Sequence, residues 1–344
     1  MRAARIHAYG EPSAISIDEV DRPQVGPRDV LIAVHAASVN PIDCKLRRGY
    51  QRAVVRWTLP QTLGLDASGV VEAVGAEVTR FAIGDAVYTS PGHQRQGTYA
   101  DYVAVDESMV AFKPRNVSHA EAAGVPLAGL TAWQSLAGAA RLTRGDRILI
   151  QAGAGGVGSL AVQIAKHRGA EVIATASAKN HALLRALGAD QVIDYRNEDV
   201  VAAAGPCQVA FDTTGGEGRL QARQVLGRGG RLVSIVGGIP EAVERHGPTL
   251  GAAVAMGGVA SFALGCLVRG IRFRYVVRKP DGAALGELTA LVEAGKLQPI
   301  VDSVFPLEQV AEAHRHSEAG RARGKIIVAV HPEATEGGAT APPA

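Results

Sequence analysis

The stretch RILIQAGAGGVGSLAVQIAKHRGAEVIATAS, residues 147–177, decides the fold. Its apolar start, residues 147–152, reads as a buried strand, Gly153-x-Gly155-x-x-Gly158 as a tight turn, and residues 159–167 as a helix with Leu160, Ala161, Ile164 and Ala165 on one face, stopped by Gly169. A second β-rich run, residues 171–176, follows. Glycine-rich loops turn many corners, but one set between a strand and a helix reads as a dinucleotide cradle. Gly153 makes the turn, Gly155 lets the backbone approach a pyrophosphate, and Gly158 allows helix to pack on strand. The open amides near Gly156 and Val157 and the positive end of the helix dipole attract that pyrophosphate.

The end of the second strand separates the two nicotinamide dinucleotides. A free ribose 2′-hydroxyl is usually held there by Asp or Glu, which would repel a 2′-phosphate. This strand ends Ala176-Ser177-Ala178-Lys179-Asn180, a hydroxyl, an ammonium and an amide without a carboxylate. The expected cofactor is therefore NADP(H), with Ser177 and Lys179 at the phosphate. The alternative is that Ser177 caps the next helix and Lys179 is solvated.

Working outward, 344 residues fit two domains, and 20% charged with 47% apolar residues is ordinary for a soluble globular chain. A formal charge of +3, with no basic block and no aromatic–basic interleaving, argues against nucleic acid as a partner. Cys44, Cys207 and Cys266 are odd in number and far apart, so neither a disulfide framework nor a zinc knuckle is supported, and a cytoplasmic location is expected. The start MRAARIHAYG lacks an apolar signal core. Residues 249–268, TLGAAVAMGGVASFALGCLV, are uncharged and long enough to cross a bilayer. They are rich in Gly and Ala and fall between two strands of one predicted sheet, so the expectation is a buried helix pair beside the cofactor or at a subunit contact, and no membrane span.

Residues 1–122 show short strands between turn residues, a barrel or sandwich pattern. Residues 123–298 begin with a helical linker and then alternate strands with helices. The alternation implies a doubly wound parallel sheet with ligand beyond the carboxyl ends of its strands, which places Thr214 and Val236 at the cofactor crevice. Residues 299–330 carry elements able to return to the first domain's sheet, and residues 331–344 read as a disordered tail. His314 and His316 fall on a helix expected to be exposed and without carboxylate or cysteine partners.

Several further motifs stand in order: VNPID (39–43), LGLDASGVVEAVG (63–75), GDAVY (84–88), PLAGLTAW (126–133), LGADQVIDY (187–195) and ARGKIIV (322–328). With them, residues 1–330 resemble the medium-chain dehydrogenase/reductase superfamily, in its zinc-free quinone oxidoreductase branch. RGY (48–50) and RFRYVV (272–277) look most like the reticulon-interacting oxidoreductases. The resemblance implies an α/β fold, a GroES-like β-barrel domain carrying a Rossmann domain, commonly as a homodimer. It also implies that Asn40 and Asp43 are catalytic residues beside the nicotinamide, Asn40 able to bond the acceptor oxygen or a cofactor ribose, that Tyr50, near a tyrosine position of the family, could donate a proton in competition with water, that Thr131 contacts the cofactor, and that Tyr195 adjoins the adenosine phosphate.

Zinc alcohol dehydrogenases of this superfamily use Cys, His and Cys where this chain has Asn40, Leu65 and Leu127. Leucine cannot coordinate zinc, so no metal is expected. Without a Lewis acid the suitable acceptor is a quinone or α,β-unsaturated carbonyl, which spreads arriving charge over its own conjugated system. A non-catalytic NADPH-binding protein, comparable to lens crystallins recruited from this family, and a zinc alcohol dehydrogenase are the competing readings.

Overall fold

The computed structural model describes residues 1–93 and 95–331. The tail expected to be disordered lies, from residue 332 on, outside the described residues. Short apolar runs between turns give β1 (Arg2–Ile6), β2 (Ile15–Glu19) and the long β3 (Asp29–Val39). Asn40 then caps α1 (Pro41–Arg47), with proline at the first helical position, where its missing N–H costs nothing. β4 (Gln61–Thr62), β5 (Ala67–Val74), β6 (Ala86–Thr89), β7 (Tyr102–Asp106) and β8 (Val110–Phe112) follow. A Ser118/Glu121 capping box opens α2 (His119–Ala123), and α3 (Pro126–Trp133) runs on into a π-helical turn, Gln134–Ala139.

From there strands and helices alternate: β9 (Arg147–Ile150), α4 (Gly156–His167), β10 (Glu171–Ala176), α5 (His181–Ala186), β11 (Gln191–Asp194), α6 (Val200–Ala204), β12 (Cys207–Asp212), α7 (Gly216–Gln224), β13 (Leu226–Ser234), α8 (Ile239–His246), α9 (Pro248–Val268) and β14 (Arg272–Tyr275). The chain ends through α10 (Gly282–Glu293), β15 (Val301–Pro306), α11 (Val310–Glu318) and β16 (Lys325–Ala329). Packing divides the described residues into two compact units, one of Met1–Leu130, Lys279–Gly295 and residues 299–331, the other of Thr131–Arg278 with Lys296–Gln298.

In the first unit β3 is the hub. It pairs antiparallel with β5, β7 and β16 within a sheet ordered β15-β16-β3-β5-β6-β8, and a smaller sheet is ordered β2-β1-β4. Register shifts between Leu31 and Ile32 and between Val34 and Ala36 bend β3 as barrel-like sheets require. Ile6, Val30, Ile32, Val34, Val87, Tyr99 and Val328 fill the core between these strands.

The second unit is a six-stranded parallel sheet ordered β11-β10-β9-β12-β13-β14, the doubly wound class expected from the alternation. Ile148, Leu149 and Ile150 of β9 are wholly buried, as an inner parallel strand demands. The strand order reverses between β9 and β12, so the crevice at their carboxyl ends is the topological switch point.

Two expectations are corrected. Residues 249–268 form no buried helix pair: α9 is one continuous helix after α8, and only Gly251, Ala255, Val259 and Cys266 along it are buried. A helix apolar on every side carries no pattern that says which side is covered. His314 is not exposed. It is fully buried on α11 against Cys44 Sγ, 3.5 Å from its Nδ1, and the Arg47 guanidinium at 3.2 Å, while His316 Nε2 meets Asp302 at 2.7 Å. These partners come from distant segments, which helical spacing alone does not reveal.

Candidate active site

The glycine loop is built as its sequence requires. A Cβ at Gly158 would stand 2.2 Å from the Ala152 carbonyl oxygen, and one at Gly153 would press on Ala174 and Leu184 at 3.0 Å. Gly155 caps α4 with extended backbone and no side chain, so Gly156, Val157 and Gly158 open the helix with amides that the fold leaves for a ligand. Ala152, just before the loop, sits at φ +47°, a strained conformation for a residue with a Cβ. Its amide donates to Thr175 Oγ1 at 3.2 Å. This backbone fits a dinucleotide pyrophosphate.

Around the same crevice, Ser177 is buried at the end of β10, and Asn180 Nδ2 donates to its hydroxyl at 3.4 Å. Lys179 is exposed, and no carboxylate follows the strand. Tyr195 is exposed after β11, beneath the Arg196 guanidinium at 5.7 Å. Sequence reasoning passed over Arg196; its adjacency to Tyr195 was the available signal. Asp194 is committed elsewhere, its carboxylate accepting from the Arg196 amide and from Asn197 Nδ2. Thr214 donates to Gln151 Oε1 at 3.2 Å, and the Val236 carbonyl accepts from Arg219, so both lie at the carboxyl ends of their strands. Thr131 is nearly buried on α3. The second unit thus brings Gly153, Gly155, Gly156, Val157, Gly158, Ser177, Lys179, Tyr195, Thr214 and Val236 to one end of its sheet.

The first unit holds a buried polar cluster around the start of α1. Asp66 Oδ2 accepts from Ser38 Oγ at 2.7 Å and Asn40 Nδ2 at 2.8 Å, Lys325 Nζ stands 3.5 Å away, and Asp66 Oδ1 accepts from the Leu127 amide at 2.7 Å. The same Lys325 ammonium donates to Asn40 Oδ1. Asp43 Oδ2 accepts from the Asn40 amide at 2.8 Å and from the Tyr99 hydroxyl at 3.1 Å; its Oδ1 is buried with no hydrogen-bond partner among the described residues. Burial pushes Asp43 up to about 7, against the pull of the Asn40 amide. Burial also lowers Lys325 from the ordinary lysine value, opposed by Asp66 and Asp43.

Asn40 and Asp43 are therefore brought together, joined by Asp66 and Lys325, which sequence reasoning did not single out. Tyr50 stands on the turn after α1, its side chain hydrogen-bonded to Arg48. Beside the polar cluster, Leu65 and Leu127 meet in an apolar cluster with Leu46 and Val55, flanked by Ile42 and Trp57.

The N-terminal part of the chain, residues 26–115, matches the alcohol dehydrogenase GroES-like domain, and residues 187–328 match the zinc-binding dehydrogenase domain. The bovine mitochondrial NAD(P)H oxidoreductase RTN4IP1 is 35% identical over 325 residues, covering 88% of this chain and 82% of that protein. The chain belongs to the medium-chain dehydrogenase/reductase superfamily. The chloroplastic NADPH-dependent alkenal/one oxidoreductase of Arabidopsis thaliana is 35% identical over 339 residues, covering 95% of this chain and 79% of that protein. The solved quinone oxidoreductase of Coxiella burnetii superposes with a TM-score of 0.84 at 34% identity, covering 96% of this chain and 99% of that one. Zinc, named in one of the superfamily's domain descriptions, does not fit these residues. Two of the three positions that carry ligands in zinc relatives are Leu65 and Leu127, packed on each other's cluster, and the Asn40 oxygen already accepts from an ammonium.

Proposed function

We propose that the chain is an NADPH-dependent oxidoreductase that reduces a quinone or an α,β-unsaturated carbonyl without zinc. The observation that carries the reading is the apolar cluster of Leu65 and Leu127 standing where zinc relatives place metal ligands. Reduction of a simple ketone asks for a Lewis acid, worth several kcal/mol of barrier. A conjugated acceptor carries the arriving charge itself and is matched to an apolar wall. The names of the Arabidopsis and Coxiella relatives, an alkenal/one and a quinone oxidoreductase, support the same acceptor class.

Bound NADPH supplies the hydride in this reading. The loop amides from Gly156 to Gly158 hold the pyrophosphate, and Ser177, Lys179, Tyr195 and Arg196 receive the 2′-phosphate. Asn40, almost wholly buried and held by Asp43, acts as a positioning residue that fixes Asp66 and Lys325 beside Leu65 and Leu127. Tyr50 and water compete as the proton source.

A cytoplasmic location belongs to the proposal, supported by three free, buried thiols at Cys44, Cys207 and Cys266. So does a homodimer, supported by the open outer edge of β14. The test is loss of NADPH absorbance with a panel of quinones and enals, alongside elemental analysis. Consumption with at least one acceptor, at full rate after chelation, is expected. NADPH binding without consumption favours the non-catalytic reading, and stoichiometric zinc revives the alcohol dehydrogenase.

A further inference from the structure

α9 spans 21 residues without a charge, roughly 30 Å of helix at ~1.5 Å per residue. Its one buried stripe packs against α8 and β14 of its own unit. The rest of its surface is open and apolar: Leu250, Val254, Met256 and Leu264 are exposed, Leu267 is 70% and Val268 78% exposed. Gly257 and Gly258 have nothing within 4 Å of where a Cβ would stand, so packing inside the chain does not account for glycine in the middle of a helix. An apolar face of this length is far beyond the scattered exposed side chains of an ordinary surface.

The charges around it say what covers it. No Asp or Glu occurs from Arg245 to Pro280, while Arg245 and His246 precede the helix and Arg269, Arg272 and Arg274 follow it. Arg228 comes up beside Gly270, and the Arg223 guanidinium lies 5.0 Å over the Phe262 ring of α9. An apolar face with basic residues at both ends complements a hydrocarbon layer bordered by anionic headgroups. It does not complement itself, because two copies of α9 side by side, in either direction, bring arginine ends together with no acid on the segment to answer them.

We propose that α9 lies in the plane of an anionic membrane surface, its open face at the acyl boundary and Arg245 and Arg269 at the lipid phosphates. Its buried stripe keeps it on its own unit, so it rests on the bilayer and does not cross it. Attachment would bring the protein to a quinone dissolved in lipid, a consequence that rests on the proposed function, whereas attachment itself does not.

The test is flotation of the full chain with vesicles of phosphatidylcholine alone or mixed with phosphatidylglycerol, without cofactor or acceptor, at low and high salt. Binding at least tenfold stronger to the mixed vesicles, weakened by salt, is expected. The combined variant Leu264→Glu, Leu267→Glu and Val268→Glu should lose it, and Arg245→Ala or Arg269→Ala should each weaken it roughly fivefold, the scale of one basic residue at such a surface. These side chains are exposed or flank the helix, so NADPH affinity should be unchanged and reports that the variants fold. Absence of flotation, or flotation unaffected by the three glutamates, would overturn the proposal. So would a dimer that those glutamates split into monomers, which would assign α9 to a second copy. Turnover of a water-soluble quinone by the same samples keeps the functional reading separate: vesicle binding without turnover overturns only that reading.

Discussion

The cradle at residues 153–158 is written in six consecutive positions, whereas the polar cluster of the first unit is assembled from Ser38, Asn40, Asp43, Asp66, Tyr99 and Lys325, with Asp66 and Lys325 259 positions apart. Both place charge-recognising groups where water is scarce. The cradle does so with backbone amides, whose direction follows from local glycine geometry. The cluster does so with side chains, and depends on β3, α1, β5 and β16 all being in place. The cradle should therefore fail through steric conflict within one loop, and the cluster through loss of a partner.

The largest effect on ligand binding is expected at the cradle. Gly158→Val forces a Cβ to within 2.2 Å of the Ala152 carbonyl, a backbone atom that cannot step aside. Calorimetry should find NADPH binding weakened by more than about a hundredfold, roughly 3 kcal/mol. Near-normal affinity would show that the helix start is not where the pyrophosphate docks.

In the cluster, Lys325→Met leaves the Asp66 carboxylate buried without its cation. Urea unfolding should show a loss of about 3–5 kcal/mol, most of it recovered when Asp66→Asn is added. Equal losses in the single and double variants would mean that the pair is not coupled, and that the first unit is held by packing alone.

Ser177→Asp probes the rim of the cradle. A carboxylate at the end of β10 should repel a 2′-phosphate and welcome a ribose hydroxyl, shifting preference from NADPH toward NADH by roughly tenfold to a hundredfold. An unchanged ratio of KM values for the two nucleotides would remove Ser177 from the phosphate pocket.

The smallest effect is a pH slope. Asp43 titrates near ~3.9 when unfolded and at about 7 in the fold, because burial favours its neutral form. The folded chain thus keeps a proton that the unfolded chain gives up, so this group's stabilisation is complete below pH ~4 and is lost as pH rises toward ~7. Asp43→Asn retains an acceptor for Tyr99 and should flatten that part of the stability profile. A slope identical to the parent's would place the titration elsewhere.

Legibility followed the same division. The strand, turn and helix from Arg147 onward, the absence of a carboxylate after β10 and the alternating second half were all open to reading, because each depends on neighbours within a few positions. α6 was passed over, and α1 with it, being five and seven residues long and too short for periodicity to mark. Asp66 and Lys325 stood inside quoted motifs without revealing that they pair. His314 was misplaced on an exposed face because Cys44 and Arg47, which bury it, lie some 270 positions away. Ala152 shows a subtler limit: nothing in an alanine announces a positive φ, which the loop around it imposes.

By itself, then, the sequence determined a dinucleotide-binding parallel sheet, a β-rich partner unit and the two non-coordinating leucines Leu65 and Leu127, since glycine sterics, short-range periodicity and the chemistry of a leucine side chain do not depend on distant contacts. The tertiary structure alone decided that Leu65 and Leu127 share one wall, that the Lys325 ammonium stands beside Asp66, and that α9 turns its apolar face outward. Burial and charge pairing are properties of what lies across the fold, and no residue carries that information in its own neighbourhood.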